Sequence, residues 1–337
     1  MQVSLLREKK RGPPATIYIG GGTPTALPLA LLEKILTALQ SAFGTPAEFT
    51  LEANPGTIVP GLFPLLRSRG VNRLSLGVQS FDDALLQRIG RIHRAADARQ
   101  AVQDAQAAGF ANISLDLMYG LPGQSMELLA GSVEQALALG VQHISIYGLQ
   151  VEEGTVFARQ QQAGTLELPS EEEAEAMYDY MTAVLPSAGY ARYEISNFAR
   201  PGFASRHNLS YWQDVPYLGL GAAAHSYWDD RRLENPAELD AYIACIAAGC
   251  PAGRPEEPAT REIRMEEFCF LALRTARGID KAAFAAKFGR LIDSVYHRPI
   301  AEMKRRGLLA EDESYLRLTP LGMKYGNIVF EACLLEP

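Results

Sequence analysis

The segment TIYIGGGTPTALPLALLEKILTALQSAFGTPAEFTLEANP, residues 16–55, contains the structural unit on which the fold depends. Two short runs at its ends, 16–22 and 47–55, are rich in Ile, Tyr, Phe and Leu, the composition of β-strands. Between them, residues 29–43 place Leu, Ile and Ala at i, i+3, i+4 and i+7, which is the spacing of an amphipathic helix. The segment therefore predicts one β/α unit.

The same unit recurs along the chain. Further strands are predicted at 72–81, 111–121, 142–151 and 191–198, and further helices at 60–70, 95–110, 126–140 and 171–190. Such regular alternation predicts a parallel sheet with right-handed crossovers. An open doubly wound sheet and a barrel of β/α units both satisfy this pattern.

The residues at the carboxyl ends of the strands help to choose between these architectures. Each of the first five runs finishes in glycine, charged or amide residues, namely Gly20 to Thr23, Glu52 and Asn54, Gln79, Asp116, and Gly148 with Gln150. For any one of them taken singly, a helix cap or a loop hydrogen bond is the better explanation. Five successive strand ends together favour a TIM-like β/α barrel, which builds one site on one face.

The chain divides into three segments. Residues 1–198 are predicted to form a partial β/α barrel, and 199–260 are an aromatic and histidine-bearing segment with a connecting helix. Residues 261–337 contain three predicted helices followed by a two-stranded hairpin, a pattern similar to a winged helix.

The composition disfavours some classes of partner and indicates a cellular compartment. The formal net charge is −7, which argues against nucleic acid or an anionic membrane as the main partner. Nucleic-acid binding through the basic cluster Lys304-Arg305-Arg306 is an alternative function. It is the weaker one, because three basic residues of this kind are typical of a helix C-terminus. Four scattered cysteines, and a start with neither a signal peptide nor a membrane span, indicate the reducing cytoplasm.

The strand-end residues suggest a ligand with several polar groups. The run Gly21-Gly22-Thr23 offers main-chain groups and one hydroxyl, which suit an α-amino or carboxylate group. Gln79 and Asp116 suit two vicinal hydroxyls, as in a ribose. Arg91 offers a fork to a carboxylate, although its position also fits a solvated cation at a helix end. Together these groups point to an amino-acid nucleoside.

Five motifs resemble a known family over essentially the whole chain. They are YIGGGTPT, FTLEANPGT, RLSLGVQSFDDALLQRIGRIH, ISLDLMYGLPGQ and YEISNFARPGFASRHNLSYW, and they are similar to the radical S-adenosylmethionine proteins of the HemN/HemW group. The resemblance implies that S-adenosylmethionine binds at these positions: Gly21, Gly22 and Thr23 toward its methionine part, Gln79 and Asp116 at its ribose, and Glu52, Arg91 and Gln150 along the same ligand.

Within the group, His207-Asn208-x-x-Tyr211-Trp212 resembles the haem-chaperone branch rather than the branch of oxygen-independent coproporphyrinogen III dehydrogenases. The resemblance implies that His207, Asn208, Tyr211 and Trp212 bind haem, and that haem is passed to haem-requiring proteins such as respiratory enzymes, with membrane contact through those partners. The alternative is the dehydrogenase itself, an enzyme of porphyrin biosynthesis. A loop histidine and core aromatics would also explain these residues without the resemblance.

One departure concerns the iron-sulfur cluster. Members of the family carry a CxxxCxxC loop before the glycine-rich strand, and the three cysteines of this loop hold three irons of a [4Fe–4S] cluster. This sequence lacks the loop, and its four cysteines are predicted to be packing residues: Cys245, Cys250, Cys269 and Cys333. The first strand, the cluster loop and part of the first helix are therefore expected to be missing. Either the sequence starts at an internal Met of a longer protein, which we favour, or it is a cluster-free relative. As written, the chain is not expected to cleave S-adenosylmethionine, and it has no metal ligands.

Overall fold

The computed structural model describes residues 13–249, 253–255 and 259–335, which form two compact units. The first unit comprises Pro14–Arg192 and Ser196–Ala204, and the second comprises Tyr193–Ile195 and the chain from Ser205 onward. The predicted remnant of a helix at residues 1–12 lies outside the described residues. The three-part division of the sequence stays a prediction.

The first unit is built on a parallel sheet, as the sequence predicts. Its first five strands pair in chain order: β1 (Thr16–Ile19), β2 (Glu48–Ala53), β3 (Arg73–Gln79), β4 (Ile113–Tyr119) and β5 (His143–Gly148). Its helices are α1 (Leu29–Phe43), α2 (Leu62–Ser68), α3 (Asp83–Arg88), α4 (Ala95–Ala107), α5 (Met126–Ala138), α6 (Val156–Gln162) and α7 (Glu171–Ser187). This alternation confirms the predicted β/α architecture of a partial barrel.

The predicted sixth parallel strand at 191–198 is wrong. Two short antiparallel strands take its place, β6 (Ala191–Arg192) and β7 (Asn197–Ala199), and the sheet order is β1-β2-β3-β4-β5-β7-β6. The interruption has a local cause, because residues 193–195 pair with a different backbone. The Ile195 N–H donates to the Arg274 carbonyl at 3.0 Å, and the Ala276 N–H donates to the Tyr193 carbonyl at 2.9 Å.

The two faces of the parallel sheet differ in chemistry. Side chains alternate along each strand, so that Leu51, Leu74, Ile113 and Ile144 lie on one face and are buried. The opposite face carries polar side chains that are also buried: Thr50, Arg73, Ser114, His143 and Ser145. On that face the Ser114 hydroxyl lies 2.6 Å from Nδ1 of His143. The strands of this sheet are therefore amphipathic.

Glycines end several helices of this unit. Gly70, Gly109 and Gly140 have φ values of 84°, 86° and 65°, in the left-handed region that a residue with a side chain rarely adopts. At the N-terminus of α7, Ser170 and Glu173 form a capping box that satisfies two backbone N–H groups. The helix boundaries therefore follow from local sequence.

The second unit contains two parts. The first has α8 (Arg206–Trp212), α9 (Leu239–Ala247) and an antiparallel sheet of β8 (His225–Trp228), β9 (Arg231–Glu234) and β10 (Arg254–Pro255). The second has α10 (Arg261–Leu273), β11 (Ile279–Asp280), α11 (Lys281–Phe288), α12 (Ile292–Arg305), β12 (Leu309–Glu311), β13 (Tyr315–Leu318), α13 (Pro320–Lys324) and α14 (Gly326–Ala332). The three helices and the hairpin of β12 and β13 confirm the predicted winged-helix pattern.

The core of this second part is apolar. It includes Leu273, Phe284, Tyr296 and Leu316, and also Cys269 and Cys333, as expected for packing cysteines. Across the described parts of the chain, every helix is too short or too polar to cross a bilayer.

Candidate functional site

The glycine-rich turn after β1 forms the first part of the strand-end site. Gly21 and Gly22 have φ values of 81° and 63°, and a Cβ added to either would meet no atom within 4 Å. Both glycines are exposed, so the backbone of the turn borders open space. Thr23 follows and begins a short 3₁₀ helix, Pro24–Ala26, with its carbonyl accepting from the Ala26 N–H at 3.0 Å. The turn can therefore approach a ligand closely.

Glu52 ties this turn to β2. Its Oε1 accepts a hydrogen bond from the Tyr18 hydroxyl at 2.5 Å, and its Oε2 accepts from the Gly21 N–H at 3.1 Å. Burial and the Glu52 carboxylate hold the pKa of Tyr18 well above its ordinary value, so the phenol remains a donor. The Gly21 N–H is therefore already engaged, and ligand contacts of the turn must come from its other groups.

Asp116 is the most perturbed carboxyl group of the site. It lies within β4 rather than at its end, so the sequence prediction placed it too close to the strand terminus. Both carboxylate oxygens lie 3.5 Å from the Ser75 hydroxyl, and Ser145 also bonds to the group. Burial raises the pKa of Asp116 to about 6, mainly because desolvation disfavours the charged form.

Gln79 and Arg91 are the next two predicted ligand contacts along the chain. Gln79 ends β3 with a φ of 69°, where the register with β4 shifts, and it is buried. Arg91 is half-buried, and burial lowers its pKa while the nearby Asp116 carboxylate opposes that shift. Arg91 also lines a cavity of about 300 Å³ together with Met118, Leu149 and Phe157. The lining of this cavity therefore combines one cationic side chain with several apolar ones.

Gln150 differs from the other predicted residues. It lies two residues beyond β5, and its side chain is exposed. The structure therefore links Glu52 to the glycine turn and places Arg91 near Asp116, while it leaves Gln150 outside these contacts.

Several residues that support the site were missed by sequence reasoning. Tyr18, Ser75 and Ser145 bond directly to the two carboxylates, and each lies on the same sheet face as its partner. The alternation of side chains along the strands was the signal that could have found them. His93 connects two strand ends, because its Nδ1 lies 3.1 Å from Asn54 Oδ1 and its Nε2 lies 3.2 Å from the Val78 carbonyl.

The predicted haem-binding motif folds as helix α8. His207 and Tyr211 lie one turn apart, with His207 Nε2 3.0 Å from the Tyr211 hydroxyl and their rings edge to face at 4.8 Å. The Tyr211 ring also packs edge-on against Tyr217, with centroids 4.7 Å apart. Burial raises the pKa of Tyr211, and Tyr217 adds to this effect. The helix therefore presents a half-buried imidazole among aromatic rings.

Trp212 and Asn208 occupy different surroundings. The Arg274 guanidinium stacks on the Trp212 ring at 4.6 Å, and the buried indole N–H has no hydrogen-bond partner among the described residues. Asn208 is held through its backbone, since its N–H donates to the Ser205 hydroxyl at the start of α8. The motif thus supplies one imidazole, one exchangeable hydroxyl and one anchored indole.

The cysteines do not form a metal centre within the described residues. No group of three or more His, Cys, Asp or Glu side chains there is arranged to hold a metal ion. Cys245 lies in α9, Cys269 and Cys333 are buried in the winged-helix core, and Cys250 lies outside the described residues. The donor set of the described residues therefore does not fit a [4Fe–4S] cluster, which is held by cysteine thiolates.

Comparison with protein families identifies two regions. Residues 2–136 match the model of the radical SAM superfamily, and residues 259–325 match the model of the HemN C-terminal domain. The fold is similar to that of the Escherichia coli coproporphyrinogen III oxidase HemN, described as a radical SAM enzyme, with a TM-score of 0.83. That likeness covers 99% of this chain and 82% of the other at 22% identity, so it shows the fold alone.

Sequence relatives are more similar. The heme chaperone HemW of Bacillus subtilis is 41% identical over 95% of this chain and 86% of its own length. The heme chaperone HemW of Lactococcus lactis is 40% identical over 95% and 85%, and that of Escherichia coli is 33% identical over 95% and 84%. These matches extend through both the strand-end site and helix α8.

Proposed function

Because the chain belongs to the HemW family of radical S-adenosylmethionine proteins, we propose that it is a haem chaperone that binds haem and passes it to haem-requiring proteins. The observation that carries the proposal is helix α8, where the motif of the haem-chaperone branch brings an imidazole and aromatic rings together. The names of the relatives support the same function.

Helix α8 provides the groups that a haem site needs. The His207 imidazole is the candidate iron ligand, since neutral imidazole is the commonest nitrogen ligand in proteins. Tyr211 and Trp212 offer flat apolar surfaces for a macrocycle, and Asn208 adds an amide beside them. Haem is cargo in this proposal, so its affinity must permit both capture and release.

The strand-end site is proposed to bind S-adenosylmethionine. The exposed turn of Gly21, Gly22 and Thr23 would receive the methionine part, with Glu52 and Arg91 along the ligand. Gln79 and Asp116 would take the ribose hydroxyls, and Gln150 completes the proposed set. In this proposal the chain's own residues bind and orient S-adenosylmethionine.

The acceptors of haem are proposed to be haem-requiring proteins such as respiratory enzymes. Any membrane contact would then come through those partners. We place the protein in the cytoplasm, which is consistent with its scattered cysteines.

Haem titration of the purified chain tests the proposal. We expect a Soret shift on binding, and we expect His207→Ala to weaken the affinity by about a hundredfold because it removes the iron ligand. His225→Ala is the matched control, since His225 is an exposed histidine on β8 outside the motif. Absence of a Soret change in the wild type, or equal effects of the two substitutions, would reject the proposed haem site.

A product assay distinguishes the enzyme alternative. Under anaerobic reducing conditions with coproporphyrinogen III, the proposed chaperone forms no protoporphyrinogen. Its formation would favour the dehydrogenase over the chaperone.

A further inference from the structure

We propose that Tyr211 is a positioning residue for haem capture, whose hydroxyl occupies the Nε2 lone pair of His207 until the haem iron replaces it. The inference rests on the proposed haem-binding role of His207. It adds a competitor for the ligand atom, built into the same helix.

The geometry of α8 brings the two groups together. Tyr211 follows His207 by four residues, which places both side chains on the same side of the helix. The Tyr211 hydroxyl and His207 Nε2 are 3.0 Å apart, within the range of a hydrogen bond. Their rings meet at an interplanar angle of 81°, so the hydroxyl approaches the imidazole while the rings stay packed.

The chemistry of the pair favours one tautomer. A neutral imidazole carries one N–H and one lone pair, and a phenol is a good donor. When the Tyr211 hydroxyl donates to Nε2, the imidazole proton lies on Nδ1. An iron that binds Nε2 requires this same tautomer, because the metal uses the lone pair that the hydroxyl occupied. His207 is therefore held in the tautomer that binds iron, while the Tyr211 hydroxyl occupies the Nε2 lone pair that the iron would use.

Packing around Tyr211 keeps its hydroxyl close to His207. The Tyr217 ring contacts the Tyr211 ring edge-on at 4.7 Å, and the Ser205 cap fixes the start of the helix. The hydroxyl can therefore return to Nε2 once haem leaves. Competition by one hydrogen bond is expected to lower haem affinity by about fivefold. A chaperone that must release its cargo gains from such competition.

The substitution Tyr211→Phe tests the inference, because it removes the hydroxyl and keeps the ring. We expect haem to bind about fivefold more tightly, with slower transfer to apomyoglobin as an acceptor. Tyr315→Phe is the control, since it removes a phenol that bonds to Arg277 in the winged-helix part. Unchanged or weaker haem binding by Tyr211→Phe would overturn the inference.

A measurement without haem separates this inference from the proposed function. Imidazole ¹⁵N–¹H correlation spectra of the five histidines report the tautomer of His207. We expect the Nδ1–H form in the wild type and an increased Nε2–H population in Tyr211→Phe. If no variant binds haem, the proposed function fails and these spectra decide the Tyr211 inference alone. An Nε2–H form in the wild type would overturn it, whatever the haem titration shows.

Discussion

The strand-end site and helix α8 differ in how their functional groups are positioned. Glu52, Asp116 and Arg91 come from widely separated parts of the chain, and the sheet and its hydrogen bonds bring partners such as Tyr18 and Ser75 to them. His207 and Tyr211 lie on one helix of seven residues and are joined by a contact within that helix. The first site therefore depends on the fold as a whole, while the second depends on one helical turn and its anchors.

Gly20 offers the strongest way to break the strand-end site. A Cβ at this position would lie 2.5 Å from Tyr18 Cε1 and 2.8 Å from Glu52 Cδ. Gly20→Ala must therefore separate the Tyr18 and Glu52 pair, at a cost of about 2–3 kcal/mol in the free energy of unfolding. We also expect at least about a tenfold loss of S-adenosylmethionine affinity by isothermal titration calorimetry.

Gly131→Ala is the control for Gly20→Ala. Gly131 lies inside α5, and an added Cβ would meet no atom within 4 Å, so we expect a gain of up to about 1 kcal/mol in urea unfolding. A Gly20→Ala protein as stable as the wild type would show that the strand-end site tolerates local rearrangement.

The second prediction concerns the charge of Asp116. Its pKa is about 6 in the folded protein and near 3.8 when unperturbed, so the folded state binds more protons between these values. Stability from this group is therefore greatest at low pH and falls as the pH rises from about 4 to about 6, by about 2 kcal/mol. Asp116→Asn should remove this fall and be more stable than the wild type at pH 7.5.

The same substitution should weaken ligand binding, because the carboxylate accepts hydrogen bonds from the ribose in the proposed site. Wild-type affinity for S-adenosylmethionine should decrease below pH 6, whereas that of Asp116→Asn should be low and independent of pH in this range. Urea unfolding and calorimetry at pH 5 and 7.5 measure both effects. A less stable Asp116→Asn protein at pH 7.5 would contradict the burial of a charge at this site.

The smallest predicted effect tests how far α8 is independent of the remaining chain. The Arg274 guanidinium stacks on Trp212 at 4.6 Å and lies 5.6 Å from the Phe270 ring. Arg274→Lys loses the planar stacking group and should lower the free energy of unfolding by about 0.5–1 kcal/mol. Arg306→Lys, at an exposed position, should have no measurable effect. Equal stability of the two variants would mean that Trp212 needs no such anchor.

Much of the fold follows from the sequence because its signals are local. The helix of residues 29–43 has the predicted bounds, and Gly70, Gly109 and Gly140 end helices with positive φ as expected. The sixth strand failed for a reason that no local pattern contains. Residues 193–195 pair with the backbone near Arg274, which lies far along the chain, and this pairing divides the strand in two.

The sites follow the same rule. Polar residues at strand ends identified Glu52 and Gln79, and a short motif identified His207 and Tyr211. The sequence could not show that Glu52 engages the Gly21 N–H, nor that Tyr211 bonds to His207, because both depend on side-chain conformations. The desolvation that raises the pKa of Asp116 likewise arises only when the strands pack together.

The two-faced parallel sheet has a consequence for folding. Shifting one strand by a single residue against its neighbour would turn its side chains to the opposite face. Such a slip in β5 would exchange Ile144 for His143 on the apolar side and leave the imidazole without the Ser114 hydroxyl. In a sheet with two apolar faces the same shift would cost little free energy. Here a shifted register is unfavourable at nearly every residue of the strand, so the correct register is favoured as the sheet assembles.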